Sequence, residues 1–325
     1  MKTLIVLCAG GRIVEGRPLF LNRHPDGKLI AEKAIEGIFA ETYDRIIYTI
    51  MKSADEQFNA KEIILSELGG RYPVEVVMLS HKTNGPADSV YETIMAANIT
   101  DSFVVRDSLN SINITSQVEG NFLAGLDLTK TKRDVFNVKS KSFIICNEQR
   151  QVLDVIEKKF RSDIVSVGLY GFKKVEDYLF AYQQLNTYDY PINKLYVSNI
   201  ISYLIGFKKR IFKCADVSKH EDWGSPETWH LIQNEYATCF VDIDKICEEN
   251  TKNLDDIVNR MHILQDKKLT IVLYTSQKDI NKQELKQKLD ENGIQCIDII
   301  CGVSHSDTKI IVDSDEQLRR MSYGV

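Results

Sequence analysis

Apolar stretches of strand length alternate with amphipathic stretches of helix length through the first 106 residues, and this alternation constrains the fold more than any other feature of the sequence. The pattern predicts strands at 3–8, 44–50, 74–79 and 102–106, and helices at 28–40, 53–68 and 87–98. Such alternation is typical of a parallel sheet, because each connection between neighbouring strands places a helix on one face. An α/β unit covered by helices is therefore predicted.

The pattern becomes irregular between residues 107 and 235 and regular again from Ala237. In the irregular part, strands are predicted at 141–146 and 164–170, and a helix at 193–205. The later part predicts strands at 238–244, 269–274, 294–300 and 310–312, and helices at 254–264 and 283–289. We therefore expect two domains, at 1–233 and 236–325, with the boundary near Asn234.

Composition narrows the class of partner. A net charge of −5 and an isoelectric point near 5.8 argue against a nucleic-acid binder, so small-molecule partners are expected. The seven cysteines are scattered and form no CxxC pair, which indicates neither a zinc site nor a disulfide framework but a reducing cytoplasm. The apolar run after Lys2 is shorter than the core of a signal peptide, and no stretch is long enough to span a membrane. We expect a cytoplasmic protein with no membrane partner.

A candidate anion site follows the first predicted strand. The apolar run Leu4–Leu7 leads into Ala9, Gly10, Gly11 and Arg12. Glycines let backbone N–H groups approach an anion closely, and an arginine can then bind it. The spacing matches neither GxGxxG nor GxxxxGK[ST], and two glycines after a strand also suit an ordinary turn. The turn therefore predicts phosphate binding only together with further residues.

Three other segments strengthen the prediction. Gly85 precedes a proline at the start of a predicted helix, Asp107 ends a buried strand, and Asp222 lies in an Asp-Trp-Gly turn. Ligands bind at the carboxyl ends of strands in open α/β sheets, which is where Asp107 is expected. Each segment alone also suits an ordinary turn or helix start, but together they indicate a nucleotide site.

In this order, the motifs resemble the sugar-1-phosphate nucleotidyltransferases, especially the bacterial capsule and surface-polysaccharide branch that activates phosphorylated sugars or small alcohols such as phosphocholine. The resemblance covers residues 1–232 and includes Arg17-Pro18-Leu19, Asp26–Leu29, Glu157-Lys158 and Gly168–Phe172. It implies a Rossmann-like, GT-A-like mixed-sheet domain and a Mg²⁺-dependent enzyme. Its partners would be a nucleoside triphosphate and a phosphorylated small-molecule acceptor, and a homo-oligomer is possible.

The resemblance also implies a role for each matched residue. A phosphate oxygen of the acceptor would attack the α-phosphorus of the triphosphate in line and expel pyrophosphate. Asp107 and Asp222 would hold Mg²⁺. The nucleotide would contact Ala9, Gly10, Gly11, Arg12, Gly85 and Ala87, and the catalytic cations would be Arg12, Arg17 and Lys158, of which Lys158 would bind the acceptor phosphate. The base and the acceptor cannot be read from the sequence.

The glycine turn is shorter than the one usual in that family, so it offers fewer backbone donors to a triphosphate. Arg17 also stands where a lysine is common, and a planar guanidinium is not equivalent to an ammonium. A non-catalytic protein that binds nucleotides or sugar phosphates is therefore the alternative.

The C-terminal domain resembles haloacid-dehalogenase-like phosphatases. The resemblance implies a nucleophile at Asp242, an acid and base at Asp244, a phosphoryl-orienting Thr275 and a Mg²⁺ ligand at Asp313. Lys245-Ile246 replaces the usual glycine and threonine, and the lysine expected near Gly302 is not evident, with Lys309 as a shifted substitute. We expect a degenerate domain with a structural or oligomerisation role; the alternative is a bifunctional nucleotidyltransferase and phosphatase.

Overall fold

The computed structural model describes residues 2–9, 12–14, 16–130, 141–187, 194–235, 237–246, 254–261, 269–292, 294 and 296–302. The chain divides into a large unit, Met1–Asn22 with Leu29–Trp229, and a small unit, Arg23–Lys28 with His230–Val325. Within the described ranges, no helix is long and apolar enough to cross a membrane. The domain limits expected from the sequence remain a prediction.

The strands and helices of the large unit follow one another without long interruptions in the described ranges. Its strands are β1 (Thr3–Leu7), β2 (Ile13–Val14), β3 (Arg17–Pro18), β4 (Arg45–Met51), β5 (Val74–Leu79), β6 (Phe103–Asp107), β7 (Asn110–Ile114), β8 (Phe122–Asp127), β9 (Ser142–Cys146), β10 (Gln151–Glu157), β11 (Ile164–Phe172) and β12 (Phe212–Asp222). Its helices are α1 (Ile30–Lys33), α2 (Lys52–Phe58), α3 (Ala60–Leu68), α4 (Pro86–Ala96), α5 (Val175–Thr187) and α6 (Val197–Gly206), and α7 (Pro226–Glu235) begins in it.

A single mixed sheet organises the large unit. Ten of its described strands form this sheet in the order β5-β4-β1-β6-β11-β8-β12-β10-β9, with β7 paired to β12 outside that path. Strands β5, β4, β1 and β6 are parallel, β8 and β12 are also parallel, and the remaining pairs are antiparallel. The parallel sheet predicted from the alternation in the first 106 residues is therefore confirmed for these four strands, and the unit as a whole has the mixed sheet that the resemblance implies.

Both faces of the central strands are buried. Leu4 and Val6 belong to one hydrophobic cluster and Ile5 to the other, because successive side chains of a strand point to opposite faces. Helices α4, α5 and α6 contribute to the cluster that contains Ile5. Burial on both faces explains why the first strand reads as a continuous apolar run.

Three predicted helices differ in extent from those of the structure. The helix expected at 28–40 is only the short helix α1. In a longer helix the carbonyl of Ala34 would accept from the amide of Ile38, but this carbonyl accepts from Arg106 Nε at 2.7 Å instead. The helix expected at 53–68 is divided into α2 and α3 by Asn59, whose φ of 52° is left-handed. Helix α6 begins at Val197 and not at residue 193.

The small unit contains a parallel three-stranded sheet in the described part of the chain. Its order is β13 (Ala237–Asp242), β14 (Leu269–Thr275) and β15 (Cys296–Cys301), with helices α8 (Ile243–Ile246), α9 (Leu254–Met261) and α10 (Lys282–Glu291). The Asn281 side chain caps α10 by accepting from the amide of Glu284. The strand predicted at 310–312 lies outside the described residues. The haloacid-dehalogenase-like identity of this domain remains a prediction.

Candidate functional site

The return of the chain after β6 brings Asp107 and Asp222 to one place. Asp107 ends β6, and β7 follows at once and pairs with β12, so that Asn110 lies opposite Asp222. The Trp223 amide donates to the carbonyl of Leu109 at 3.1 Å. Two aspartates that are 115 positions apart in the sequence are therefore held by the same short connection.

Each aspartate is oriented by a local turn. Asp107 Oδ1 accepts from the amide of Leu109 at 3.1 Å, and Asp222 Oδ1 accepts from the amide of Gly224 at 2.9 Å. Gly168 lies against Asp107, and its φ of 76° is left-handed. A Cβ at Gly168 would lie 2.6 Å from the Cβ of Asp107, so only glycine fits beside this aspartate.

Arg106, the residue before Asp107, is completely buried. Its guanidinium donates to Ala34 O at 2.7 Å, Val167 O at 3.1 Å, Gly168 O at 3.2 Å, Asn110 O at 2.5 Å and Asn110 Oδ1 at 2.9 Å. Burial lowers the pKa of Arg106 to about 10, while the charge of Asp107 acts in the opposite direction. Arg106 therefore joins the segments that surround the site. Arg106 was not predicted as a site residue, although a cation inside an apolar strand next to a strand-end aspartate is a usable signal in the sequence.

Lys141 was also missed, and it forms an ion pair with Asp222. Lys141 Nζ lies 3.0 Å from Asp222 Oδ2, and the two side chains are 14% and 4% exposed. The neighbouring His220 is buried, and its pKa falls to about 3, first because of burial and then because of the positive charge of Lys141. No pattern in the sequence around Lys141 indicates this pairing, because it depends on the position of the sheet strands.

The two candidate arginines lie on a small hairpin. Arg17 belongs to β3, which pairs with β2, and the carbonyl of Arg12 accepts from the amide of Leu19 at 2.7 Å. Arg12 Nη1 and Arg17 Nε are buried and make no hydrogen bond in the described part of the chain. Buried donors without a partner are rare, so these two nitrogens are suited to an anionic ligand. Ala9 lies in the turn before the hairpin, and Gly10 and Gly11 lie outside the described residues.

Glu227 lies at the start of α7, just after the Asp222 turn, and its pKa is affected by the charge of Arg12. This pKa is lowered by hydrogen bonds to the backbone and to Ser225, and then by the charge of Arg12. The charge of Arg12 therefore acts on the first turn of α7, which follows the Asp222 turn.

Lys158 follows β10 and lies beside Tyr196. Its ammonium donates to the Tyr196 hydroxyl and lies 4.3 Å from the centre of the ring. The carboxylate of the adjacent Glu157 accepts from the hydroxyls of Ser142 and Ser198 at 2.5 and 2.6 Å. The exposed Lys158 therefore stands beside an ordered polar cluster at the ends of β9 and β10.

Gly85 and Ala87 have close neighbours within the protein. A Cβ at Gly85 would lie 2.4 Å from the carbonyl oxygen of Leu195. The Ala87 amide donates to that same oxygen at 3.2 Å, and its carbonyl accepts from Tyr178 Oη at 2.8 Å. Ala87 is fully buried, so it has neither an exposed side chain nor an unused backbone group. The contact of Gly85 with a nucleotide base remains a prediction.

The donor set is compatible with a magnesium ion. Among the described residues, no group of three or more histidine, cysteine or acidic side chains is arranged to hold a metal. Asp107 and Asp222 nevertheless place two carboxylates beside the same connection, residues 108–110, and Mg²⁺ in nucleotide enzymes is held by one or two carboxylates, with phosphate oxygens and water as the other ligands. These two residues therefore suit a metal that arrives with a phosphorylated substrate.

A second, open cleft lies around the start of β6, at the other end of that strand from Asp107, and Arg210 pairs there with Asp177 at 2.8 Å. The Lys2 amide donates to Asp44 at 2.5 Å in the same cleft. Arg12 and Arg17, whose buried nitrogens have no partner in the described part of the chain, do not line this cleft.

In the small unit, Asp242 and Asp244 follow one another at the end of β13. Asp244 accepts from Thr275 Oγ1 at 2.5 Å and from the amide and hydroxyl of Ser276, each at 2.7 Å. The Asp244 amide donates to Asp242 Oδ1 at 3.0 Å. Three of the predicted residues are thus brought together at one sheet edge, and Asp313 lies outside the described residues. Their phosphatase roles remain a prediction.

Comparison with known proteins gives a match at the level of structure. No family model matches the sequence, and no curated protein matches it. A nucleoside-diphosphate-sugar pyrophosphorylase from Vibrio cholerae RC9 has a TM-score of 0.58 and 17% identity over 71% of this chain and 99% of its own. The inositol-1-phosphate CTP transferase from T. maritima has a TM-score of 0.55 and 13% identity over 72% of this chain and 95% of its own. A UDP-glucose pyrophosphorylase complexed with UDP-glucose has a TM-score of 0.54 and 13% identity over 72% and 97%. The large mixed sheet therefore has the Rossmann-like fold of structures of sugar-phosphate nucleotidyltransferases.

Proposed function

We propose that this chain transfers a nucleotidyl group from a nucleoside triphosphate to a phosphorylated sugar or small alcohol, with release of pyrophosphate. The observation that carries the proposal is the pair of aspartates, Asp107 and Asp222, held together by the β6–β7 connection. The pair lies in a fold shared with a pyrophosphorylase and a CTP transferase. Because one fold supports many functions, the proposal depends on these residues as well as on the fold.

The reaction brings two anions together, so its site needs positive charge. The buried Arg12 Nη1 and Arg17 Nε have no partner within the described residues and would donate to the triphosphate. Mg²⁺ held by Asp107 and Asp222 would offset the negative charge that develops on the phosphates. Ala87 is left out of the proposed nucleotide contacts, because its backbone groups are already bonded.

The acceptor phosphate is placed beside Lys158. An oxygen of this phosphate forms a bond to the α-phosphorus while the bond from the α-phosphorus to the bridging oxygen breaks, and pyrophosphate leaves with that electron pair. Lys158 would hold the attacking phosphate, and Tyr196 would hold the lysine side chain. Glu157 is kept in place by two serines beside the same position, where hydroxyl groups of an acceptor would lie.

Two finer parts of the proposal derive from the sequence resemblance: a role in capsule or surface-glycan synthesis, and a small domain that is a degenerate phosphatase. Location in the cytoplasm and the absence of nucleic-acid and membrane partners derive from the composition of the sequence. A homo-oligomer is proposed with them. They are tested separately from the transfer reaction.

The test of the main proposal is a pyrophosphate-release assay in Mg²⁺ that crosses each nucleoside triphosphate with sugar phosphates, inositol phosphate and phosphocholine. We expect turnover with at least one pair, and a loss of about 100-fold or more in Asp107→Ala and in Asp222→Ala. Asp216→Ala is the matched control, since Asp216 is exposed and pairs with Arg150. If no pair releases pyrophosphate while calorimetry detects nucleotide binding, the protein is a binder and the proposal is wrong.

The small domain is tested in the full chain with a chromogenic phosphate ester. We expect no turnover above that of Asp242→Asn. Robust hydrolysis that this substitution abolishes would contradict the degenerate assignment and favour the bifunctional alternative.

A further inference from the structure

The largely buried ammonium of Lys141 forms an ion pair with Asp222, one of the two proposed metal ligands. Its Nζ is 3.0 Å from Asp222 Oδ2, and both side chains are largely buried. Burying two charges costs desolvation that their attraction does not always recover, so a buried ion pair is weak evidence for a purely stabilising role. The Lys141–Asp222 ion pair is therefore better explained by a role in ligand binding at the candidate site.

The main chain of Lys141 is held on the acceptor side of the site. Its carbonyl accepts from the amide of Lys158 at 3.2 Å, and the next residue, Ser142, pairs with Glu157 across β9 and β10. From this anchored position the flexible four-carbon side chain reaches Asp222. A lysine ammonium is a compact charge on rotatable bonds, so it can turn from one anion to another while the strand stays in place.

A lysine and a metal compete for the same carboxylate. Asp222 Oδ1 already accepts from Gly224, while Oδ2 contacts the lysine. A Mg²⁺ ion about 2.1 Å from Oδ2 would lie at most about 5 Å from an ammonium that stays 3.0 Å from the same atom. Two cations this close in a partly buried site repel each other strongly.

We propose that Lys141 is the exchangeable counter-ion of Asp222: its ammonium pairs with the carboxylate in the metal-free protein and turns to the substrate phosphates when a divalent cation binds. This inference rests on the proposed function, since it takes Asp107 and Asp222 as metal ligands. No covalent bond and no proton is involved, because one cation replaces another on the carboxylate. The exchange makes metal binding weak without a polyphosphate and tight with it.

The first test measures Mn²⁺ affinity in the absence of nucleotide, from the free-ion signal in electron paramagnetic resonance. We expect Lys141→Met and Lys141→Gln to bind Mn²⁺ about tenfold more tightly than the unchanged protein, because the competing charge is gone. Lys141→Arg keeps the charge and should stay within about twofold. Lys130→Met is the matched control, since this exposed lysine pairs with a different carboxylate, that of Asp127.

The second test measures binding of inorganic triphosphate by calorimetry at saturating Mn²⁺. Loss of the ammonium should weaken this binding about tenfold in Lys141→Met and Lys141→Gln, so the two measurements change in opposite directions. Tryptophan fluorescence reports that each variant is folded. The glutamine variant keeps a hydrogen-bond donor for Asp222 in case the methionine variant does not fold.

Unchanged or weaker Mn²⁺ binding in a folded variant would overturn the exchange. Tighter Mn²⁺ binding with unchanged triphosphate binding would overturn the transfer of the ammonium to phosphate. Neither measurement uses turnover, so a failed pyrophosphate assay with opposite shifts in binding refutes the proposed function and leaves the exchange intact.

Discussion

Replacement of Arg106 by methionine tests whether one buried arginine holds the site together. The guanidinium makes five hydrogen bonds, four of them to backbone carbonyls. Leaving five buried acceptors without a donor costs about 1.5 kcal/mol each, or about 7.5 kcal/mol. Burial of the charge has the opposite effect on stability: a pKa lowered from its ordinary value of 12.5 to about 10 corresponds to about 3–4 kcal/mol. The acceptors outweigh the charge, and Arg106→Met should lower the free energy of unfolding by about 4 kcal/mol.

Thermal unfolding followed by tryptophan fluorescence measures this loss in the large unit alone. The chain has two tryptophans, Trp223 and Trp229, and both belong to that unit and are buried. For a unit of this size, about 4 kcal/mol corresponds to a fall in the unfolding midpoint of about 8–16 °C. Arg45→Met is the control: Arg45 pairs with Glu75 near the surface, and such pairs contribute up to about 1 kcal/mol.

An unfolding midpoint of Arg106→Met within about 3 °C of that of the unchanged protein would refute the reasoning. Such a shift corresponds to a loss of only about 1 kcal/mol in the free energy of unfolding. It would mean that the acceptors find water or new donors at little cost.

Three further outcomes are expected. Gly168→Ala should destabilise the protein by about 2–4 kcal/mol and weaken Mn²⁺ binding. The left-handed backbone is unfavourable for alanine, and the new Cβ would clash with Asp107. A melting point and a Mn²⁺ affinity equal to those of the unchanged protein would contradict this. Cys146 should react with iodoacetamide at lower pH than Cys8, as peptide mapping by mass spectrometry can show. A hydrogen bond from a neighbouring thiol lowers the pKa of Cys146 and so favours its thiolate, whereas burial raises the pKa of Cys8 to about 12; equal rates would disprove this. Asp244→Asn should speed deuterium exchange in β14 at pH 7, since a neutral amide no longer accepts the four hydrogen bonds of the carboxylate. The pKa of Asp244 is lowered in the folded protein despite the opposing effect of burial, so its contribution is present above the ordinary value of 3.8 and is lost as pH falls below it; unchanged exchange at pH 7 would count against the assignment.

The local pattern of apolar and polar residues was sufficient to predict those strands and helices that depend mainly on residues close together in the sequence. The strands β1, β4, β5 and β6 were predicted because each is rich in apolar residues, and α4 begins at Pro86 as expected for proline in the first turn. The same reasoning missed β12, whose outward and inward residues are largely polar, and overextended the first helix. These errors occur where long-range contacts replace local hydrogen bonds, as at the carbonyl of Ala34.

The candidate site shows the same division. Asp107 and Asp222 were identified from their turns, because a strand-end aspartate and an Asp-Trp-Gly turn are visible in the sequence. That they meet is decided by the pairing of β7 with β12. Lys141 had no signal, since it precedes a strand that only the sheet order brings near Asp222.

By itself, the sequence determined the α/β class, the buried strands and the residue types suited to phosphate chemistry, because these depend on periodicity and side-chain chemistry. Only the tertiary structure decided which charges meet. The mixed sheet joins Arg106 to three distant carbonyls and Lys141 to Asp222, and it leaves donors of Arg12 and Arg17 buried without a partner in the described residues. Electrostatic interactions depend on distance and burial, and chain order specifies neither until the strands have paired.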